Sequence, residues 1–262
     1  MKMFTKDEVV RGLETKIVGK RIFIFDSIDS TNQCARTLAD TGAVAGTVVV
    51  ANHQTSGRGR LGRNWISAPG SNILCSILLR PAIRKDSAGL LTFLAAVSAA
   101  RAVESVATLS VECKWPNDLL LSGKKCCGIL LENTYQGEQL LYSVVGIGLN
   151  VNQTEFANLE SSATSVSREA GAQQDRVGLL RTMLRNFDSL YAEAQEGRFD
   201  GILRDWNVRC RMFGRPVALE GAHERLEGVA LRLSPDGGLI LQTPDGQRTV
   251  HAGDASVSAE VA

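Results

Sequence analysis

The chain has 262 residues, 44% hydrophobic and 22% charged, and 29 Lys+Arg against 28 Asp+Glu leave a formal net charge of +1. It is long enough for one large domain, or a large and a small one, around a buried core, while so even a balance argues against a broad nucleic-acid or membrane footprint and leaves room for a local cationic pocket. The N-terminus is too polar for a signal peptide, and no apolar run approaches the roughly 20 residues of a membrane span.

In chain order, residues 5–14 read as a short helix, with Thr5 and Glu8 at capping-box spacing. An extended run, Arg21–Phe25, precedes Ser30 and Gln33, which have the same spacing ahead of a helix to about residue 40. Thr47–Ala51 and Asn72–Leu79 are strand candidates on either side of a glycine- and arginine-rich stretch, 56–71. Residues 87–106 carry apolar positions at helical spacing with alanines between them, a largely buried helix. Val111–Trp115, Leu119–Leu121, Gly128–Glu132 and Leu140–Ile147 follow as strands, with a turn at Ser122-Gly123, and 175–196 reads as an amphipathic helix. From Phe213 the pattern becomes short strands broken by Pro235-Asp236-Gly237-Gly238 and Pro244-Asp245-Gly246. That predicts a small SH3-like barrel over 213–262, appended to a larger domain over 1–212.

Two segments carry chemistry. In Gly57-Arg58-Gly59-Arg60-Leu61-Gly62-Arg63, glycines let backbone amides face a ligand, and three arginines in six residues offer planar charged forks to phosphate or carboxylate oxygens. No Gly-Lys-Ser/Thr ending follows, so it is not a Walker loop; an arginine-glycine loop touching RNA is the alternative, disfavoured by the net charge. In Lys114-Trp115-Pro116-Asn117-Asp118, Pro116 bends the chain and presents Asn117 and Asp118 at a sheet edge, with Lys125 after the next turn. A surface hairpin with solvated lysines is the bland alternative. The six cysteines show no C-x-x-C pair and lie mostly in apolar runs, the usage of a reduced, cytoplasmic protein. His53, His223 and His251 are too scattered for a zinc site, and no metal-ligating set is expected.

Taken together, Ser30-Thr31-Asn32, Gly57–Arg63 with Trp65, Lys114–Asp118, Lys125 with Gly128-Ile129-Leu130 and Glu132, Gly146–Asn152 and Gly214-Arg215-Pro216-Val217 resemble the biotin–protein ligases over nearly the whole chain. The resemblance implies an α+β fold, a mixed-sheet biotin/lipoate ligase-like core followed by the SH3-like barrel. It implies ATP-dependent conversion of biotin to biotinyl-5′-adenylate, with Mg²⁺, and transfer to a lysine of the biotin carboxyl carrier protein of acetyl-CoA carboxylase or a related carboxylase. Only about 20 residues precede the first core strand, so the match is to the short form, and specific DNA binding is not expected. Relatives include monomers and homodimers. A lipoate–protein ligase or octanoyltransferase of the same fold is the nearest rival.

By the same resemblance Lys125, Arg60 and Asp118 are the catalytic candidates, Lys125 beside the carboxylate and phosphate and Asp118 orienting or deprotonating the incoming lysine. Ser30, Thr31, Asn32, Gln54, Arg58, Gly59, Arg60 and Lys125 are placed at biotin. Arg58, Arg60, Arg63, Trp65, Asn117, Asn150 and Asn152 are placed at ATP. Helix capping by Ser30 and core packing by Trp65 are competing roles. Two departures stand out: Cys126-Cys127 replaces small or aliphatic residues and puts thiols near the site, and Gly253–Ser258 has a serine where relatives often carry a nucleotide-reaching arginine, which weakens a barrel contact to ATP. The glycine-rich loop is expected to be mobile when empty.

Overall fold

The computed structural model describes residues 3–220 and 225–257; His223 and Ser258 lie outside them. Thr5 caps α1 (Lys6–Val10), its side chain accepting from the Glu8 amide and donating to the Glu8 carboxylate at 2.9 Å. This helix stops short of residue 14, and the chain turns left-handed at Gly12, φ 74°. β1 (Arg21–Phe25), α2 (Thr31–Asp40), β2 (Thr47–Ala51) and β3 (Ile73–Leu79) follow as expected. After α3 (Leu91–Ala107) come β4 (Glu112–Lys114), β5 (Asp118–Leu121), β6 (Lys124–Gln136) and β7 (Gln139–Leu149). Then α4 (Val166–Ala170), α5 (Arg176–Gln195) and α6 (Asp200–Arg209) lead to the C-terminal strands. Those strands are β8 (Pro216–Glu220), β9 (Arg225–Leu233), β10 (Leu239–Thr243), β11 (Gly246–Val250) and β12 (Asp254–Val257).

The first seven strands form one mixed sheet in the order β1-β2-β3-β7-β6-β5-β4, with β1 parallel to β2 and the other pairs antiparallel. β2 and β3 are buried along their whole length because helices cover both faces. On one face α3, α5 and α6 build the main core, where Phe93 meets Trp206 edge to face at 5.1 Å. On the other, Ala35 and Ala39 of α2 let that helix settle onto Val49, Leu78 and Val144. One expectation needs correcting here. Lys85–Ala107 is long and apolar enough to cross a membrane by length and composition, but 67% of its apolar window is buried, against α5 and α6.

The last five strands form an antiparallel sheet in the order β11-β10-β9-β8-β12, the small SH3-like unit. It is fastened to the core by Trp115, whose buried indole N–H donates to the Gly237 carbonyl at 3.1 Å. Gly237 has φ 87°, and a Cβ there would sit 2.5 Å from the Phe93 ring, so only glycine fits this joint.

Candidate active site

Where β6 and β7 meet the end of α2, a cavity of about 590 Å³ opens. Its floor is backbone. Gly128 and Gly148 face each other across β6 and β7, and Gly146 lies two residues along. Side chains from elsewhere lie flat on this floor: a Cβ at Gly146 would be 2.1 Å from Asn32 Oδ1, and one at Gly148 would be 2.6 Å from the Trp65 indole. Trp65 therefore lines the cavity, with its Nε1 buried and without a protein acceptor, and Lys125 Nζ 5.8 Å from its ring centre.

Lys125 reaches the cavity because of a bulge. The Ser122-Gly123 turn has φ of 50° and 75°, the paired positive values of a tight hairpin. Leu119 pairs with Cys127 but Leu120 pairs with Lys125, so Cys126 is an extra residue. Two consecutive residues, Cys126 and Cys127, can then both be fully buried, while Lys125 turns outward to within 2.6 Å of Asp118 Oδ1. At that distance the two form a close ion pair, and the buried Asp118 Oδ1 keeps a second lone pair with no further donor on it. Burial pushes the Cys126 and Cys127 thiols well above their ordinary range. Fully buried and held as thiols, they act as packing groups, the reading that the near-isosteric replacement of a small apolar residue suggests.

The inner end of the cavity is neutral and polar. Ser30 Oγ accepts from the Gln33 amide as N-cap, so its proton is free to be donated. Gln54 Oε1 accepts from the Thr31 amide at 2.7 Å, which fixes its orientation and turns Nε2 outward as a donor. Asn32 Nδ2 donates to Glu132 Oε2 at 2.8 Å and to the Leu130 carbonyl at 3.3 Å, and its Oδ1 accepts from Ser76 Oγ at 2.6 Å, so what remains for a ligand is the second lone pair of Oδ1.

At the outer end the Gly57–Arg63 loop is closed on itself. Gly59 N–H donates to the Arg63 carbonyl at 2.6 Å, Trp65 N–H donates to the Gly57 carbonyl at 2.9 Å, and Leu61 takes φ 55° between them. Arg60 donates to Asn117 Oδ1 at 2.9 Å and to the Gly253 carbonyl at 3.3 Å, and lies 3.6 Å from Asp254. Arg63 also pairs with Asp254. Burial pulls the Arg60 pKa below its ordinary value, against the opposing pull of Asp254 and Asp118. Arg58 reaches back to Gln33 Oε1 at 3.4 Å. Asn117, Gly253, Asp254 and Gln33 are thus the loop's partners outside itself in this structure. The barrel also reaches the cavity, through Asp254; Ser256 bonds to the Ala218 carbonyl instead.

Of the residues singled out from the sequence, all but Asn152 line the cavity. Asn152 spends its amide on Gln174, donating at 3.0 Å and accepting at 2.9 Å. Asn150 donates to the Thr164 carbonyl at 3.1 Å, and its Oδ1 is buried without a donor. Sequence reasoning missed Asp254 and the Phe156–Ala163 wall, which is joined to Lys125 by backbone bonds to Ser162 and Thr164 at 2.9 Å. No local pattern marks them, since both arrive by tertiary pairing. Among the described residues no group of three or more His, Cys, Asp or Glu could hold a metal ion.

Comparison with known proteins agrees with this geometry. Residues 24–150 match the model of the biotin/lipoate A/B protein ligase family, and 212–258 match the biotin protein ligase C-terminal domain. The chain is 34% identical over 253 residues to the bifunctional ligase/repressor BirA of Bacillus subtilis, covering 95% of this chain and 78% of that protein. It is 33% identical over 234 residues to the biotin–[acetyl-CoA-carboxylase] ligase of Paracoccus denitrificans, covering 86% and 96%. The biotin protein ligase of Aquifex aeolicus, solved in complex with biotin and ATP, superposes with a TM-score of 0.78 at 28% identity, over 91% of this chain and 99% of that one. With cavity, loop and both domains accounted for, the chain belongs to the biotin/lipoate A/B protein ligase family, as a biotin–protein ligase.

Proposed function

We propose that the inner end of the cavity holds the ureido ring of biotin, that ATP lies against the arginine loop and Lys125, and that the acyl-adenylate formed between them is delivered to a carrier lysine. One observation carries this reading: the inner end offers two donors, Ser30 Oγ and Gln54 Nε2, and one acceptor, Asn32 Oδ1. A cyclic urea has a carbonyl for the donors and an N–H for the acceptor. The dithiolane of lipoate has neither and would leave all three groups unpaired, so the lipoate reading is not favoured.

In the first step a biotin carboxylate oxygen attacks the α-phosphorus of ATP, forming the mixed anhydride and breaking the bond to pyrophosphate. Both reactants are anionic, so the step needs cations at the junction; Lys125, Arg60, Arg58 and Arg63 supply them from the cavity wall. Trp65 Nε1 and Asn150 Oδ1, both buried and unpartnered, suit a ligand that brings its own acceptor and donor. In the second step the carrier lysine attacks the acyl carbon and AMP leaves. Free lysine has a pKa of roughly 10.4, so a proton must be lost first. Asp118 Oδ1 has the unused capacity to take or hold it.

Among the described residues no cluster of three or more His, Cys, Asp or Glu is placed to hold a metal ion; a Mg²⁺ would be held mainly by the phosphates of ATP with at most one or two carboxylates of the cavity, Asp118 or Asp254, and would supply further neutralisation of the α-phosphate. The partner is the carrier domain of acetyl-CoA carboxylase or a related carboxylase, a reading supported by the name of the Paracoccus relative. A domain division at 212/213 is supported by the C-terminal family match and by the first barrel strand at Pro216. Six free thiols suit a reducing, cytoplasmic setting. The test is to incubate the protein with a purified carrier domain, Mg-ATP and either biotin or lipoate, and to follow carrier mass. A biotin adduct that requires ATP is expected; a lipoyl adduct, or none, would overturn the reading.

A further inference from the structure

Ser76 sits on β3 opposite Gly146 of β7, fully buried and outside the cavity lining. Its Oγ is 2.6 Å from Asn32 Oδ1 and 2.7 Å from Thr31 Oγ1. A serine has one proton, and an amide oxygen can only accept. The Ser76 proton therefore goes to Asn32, while the single Thr31 proton is shared between Ser76 Oγ and Gln54 Oε1, which lies 3.0 Å away and can also only accept. At the other end of the amide, Asn32 Nδ2 is held by Glu132 Oε2 at 2.8 Å, and Glu132 is in turn held by Arg36 at 3.2 Å. Glu132 also lies outside the cavity lining.

An asparagine amide is close to symmetric in shape, so a free one would present C=O or NH₂ to a ligand with little preference. This one is pinned from two strands: a donor on β3 grips its oxygen, and a carboxylate on β6 grips its nitrogen. The absence of a side chain at Gly146 lets the amide lie directly on the sheet, since a Cβ there would be 2.1 Å from Oδ1.

We propose that Ser76 and Glu132 are positioning residues that fix the polarity of Asn32, so that the site offers an acceptor and never a donor at that point of the ligand ring. The inference rests on the reading of the cavity as a biotin site. It assigns selection for a ring N–H to two side chains that do not touch the ligand. A site built to bond a donor rejects an analogue lacking it far more strongly than an apolar pocket would. Without the clamp the amide is free to turn, and that rejection is lost.

The test uses the full chain, wild type and the variants Ser76→Ala, Ser76→Cys and Glu132→Gln. Affinities are measured by calorimetry for biotin and for the two cyclic carbamates in which one or the other ring N–H is replaced by oxygen. Wild type is expected to prefer biotin at least tenfold over one of the carbamates. Ser76→Ala and Glu132→Gln should weaken biotin by about tenfold to a hundredfold, the range for one misdirected hydrogen bond, and shrink the preference toward unity. Ser76→Cys, with a weaker donor, should fall between. The KM for ATP should stay put. Glu132→Gln keeps the side chain's shape and guards against a folding failure at the buried serine. A preference unchanged within threefold in both variants would overturn the proposal. So would equal losses for biotin and the carbamates, which mark a merely structural role, and so would a wild type indifferent to both replacements. If wild type binds no biotin at all, the failure belongs to the assignment of the cavity instead.

Discussion

Replacing Lys125 with alanine isolates the charge at the reacting centre. Its Nζ lies 2.6 Å from Asp118 and 5.8 Å from the Trp65 ring centre, with the side chain 37% exposed. Two unit charges about 4 Å apart at an effective dielectric near 20 interact by about 4 kcal/mol. Losing that at the transition state alone slows the step about a thousandfold, the upper end of what removing one oxyanion donor costs. Folding should survive. A partly exposed ion pair contributes roughly 0–1 kcal/mol, and the Lys125 backbone keeps its bonds to Ser162 and Thr164 at 2.9 Å. Biotin-dependent pyrophosphate release, measured without carrier, reads the first step directly. Release within about threefold of wild type would mean less than 1 kcal/mol of barrier, and the neutralising role would be refuted.

Further outcomes follow from the same geometry. Asp118→Asn should leave pyrophosphate release within a few-fold of wild type but slow carrier labelling by tenfold or more; equal slowing of both steps would argue against a role specific to the lysine. Arg60→Gly removes contacts to Asn117, Gly253 and Asp254, so biotinyl-adenylate should escape faster and label added serum albumin, read by blotting, and labelling no greater than wild type would count against a gate at this arginine. Gly148→Val places a Cβ 2.6 Å from the Trp65 indole and should raise the KM for biotin at least tenfold with a change in tryptophan emission, whereas an unchanged KM would show that the indole is not set by the floor. Burial raises the Cys75 thiol to about 12, and the Cys126 and Cys127 thiols are raised as well. A raised thiol stays protonated, hence unreactive, throughout neutral pH. Titration with a disulfide reagent at pH 7–8 should therefore find at most the half-buried Cys34 reacting quickly, and all six only in denaturant; fast loss of activity on alkylation would contradict this.

Local chemistry made much of the fold legible. Thr5 with Glu8, and Ser30 with Gln33, are bonded as their spacing predicts, and β-branched runs became strands. The failures have physical causes. α6 was missed because only Ile202 and Trp206 are buried and no side chain caps it. β12 was missed because Asp-Ala-Ser-Val has little strand pattern and pairs with β8 more than thirty residues earlier in the chain. At the site, charged and glycine-rich segments announce themselves, while the parts that orient them do not. Ser76 reads as one polar position in an apolar strand, and its meaning depends on the register that sets it against Gly146. Asn152 sits in a run that looks ligand-facing, yet it bonds Gln174. The outward turn of Lys125 depends on a bulge that spacing cannot reveal.

A floor of bare backbone also limits what the site can be turned into. Pockets lined by side chains can be deepened by trimming a leucine to an alanine, and evolution and engineers widen specificity that way. Beneath Trp65 and Asn32 there is nothing left to trim: Gly128, Gly146 and Gly148 already bring the sheet to its minimum height. Any bulkier acyl group must find its space upward, by moving the indole or the loop that carries it. Those same parts carry the arginines, so a variant relaxed toward larger acids would handle the reactive anhydride less securely, and selectivity for the acid and containment of its adenylate would be lost together.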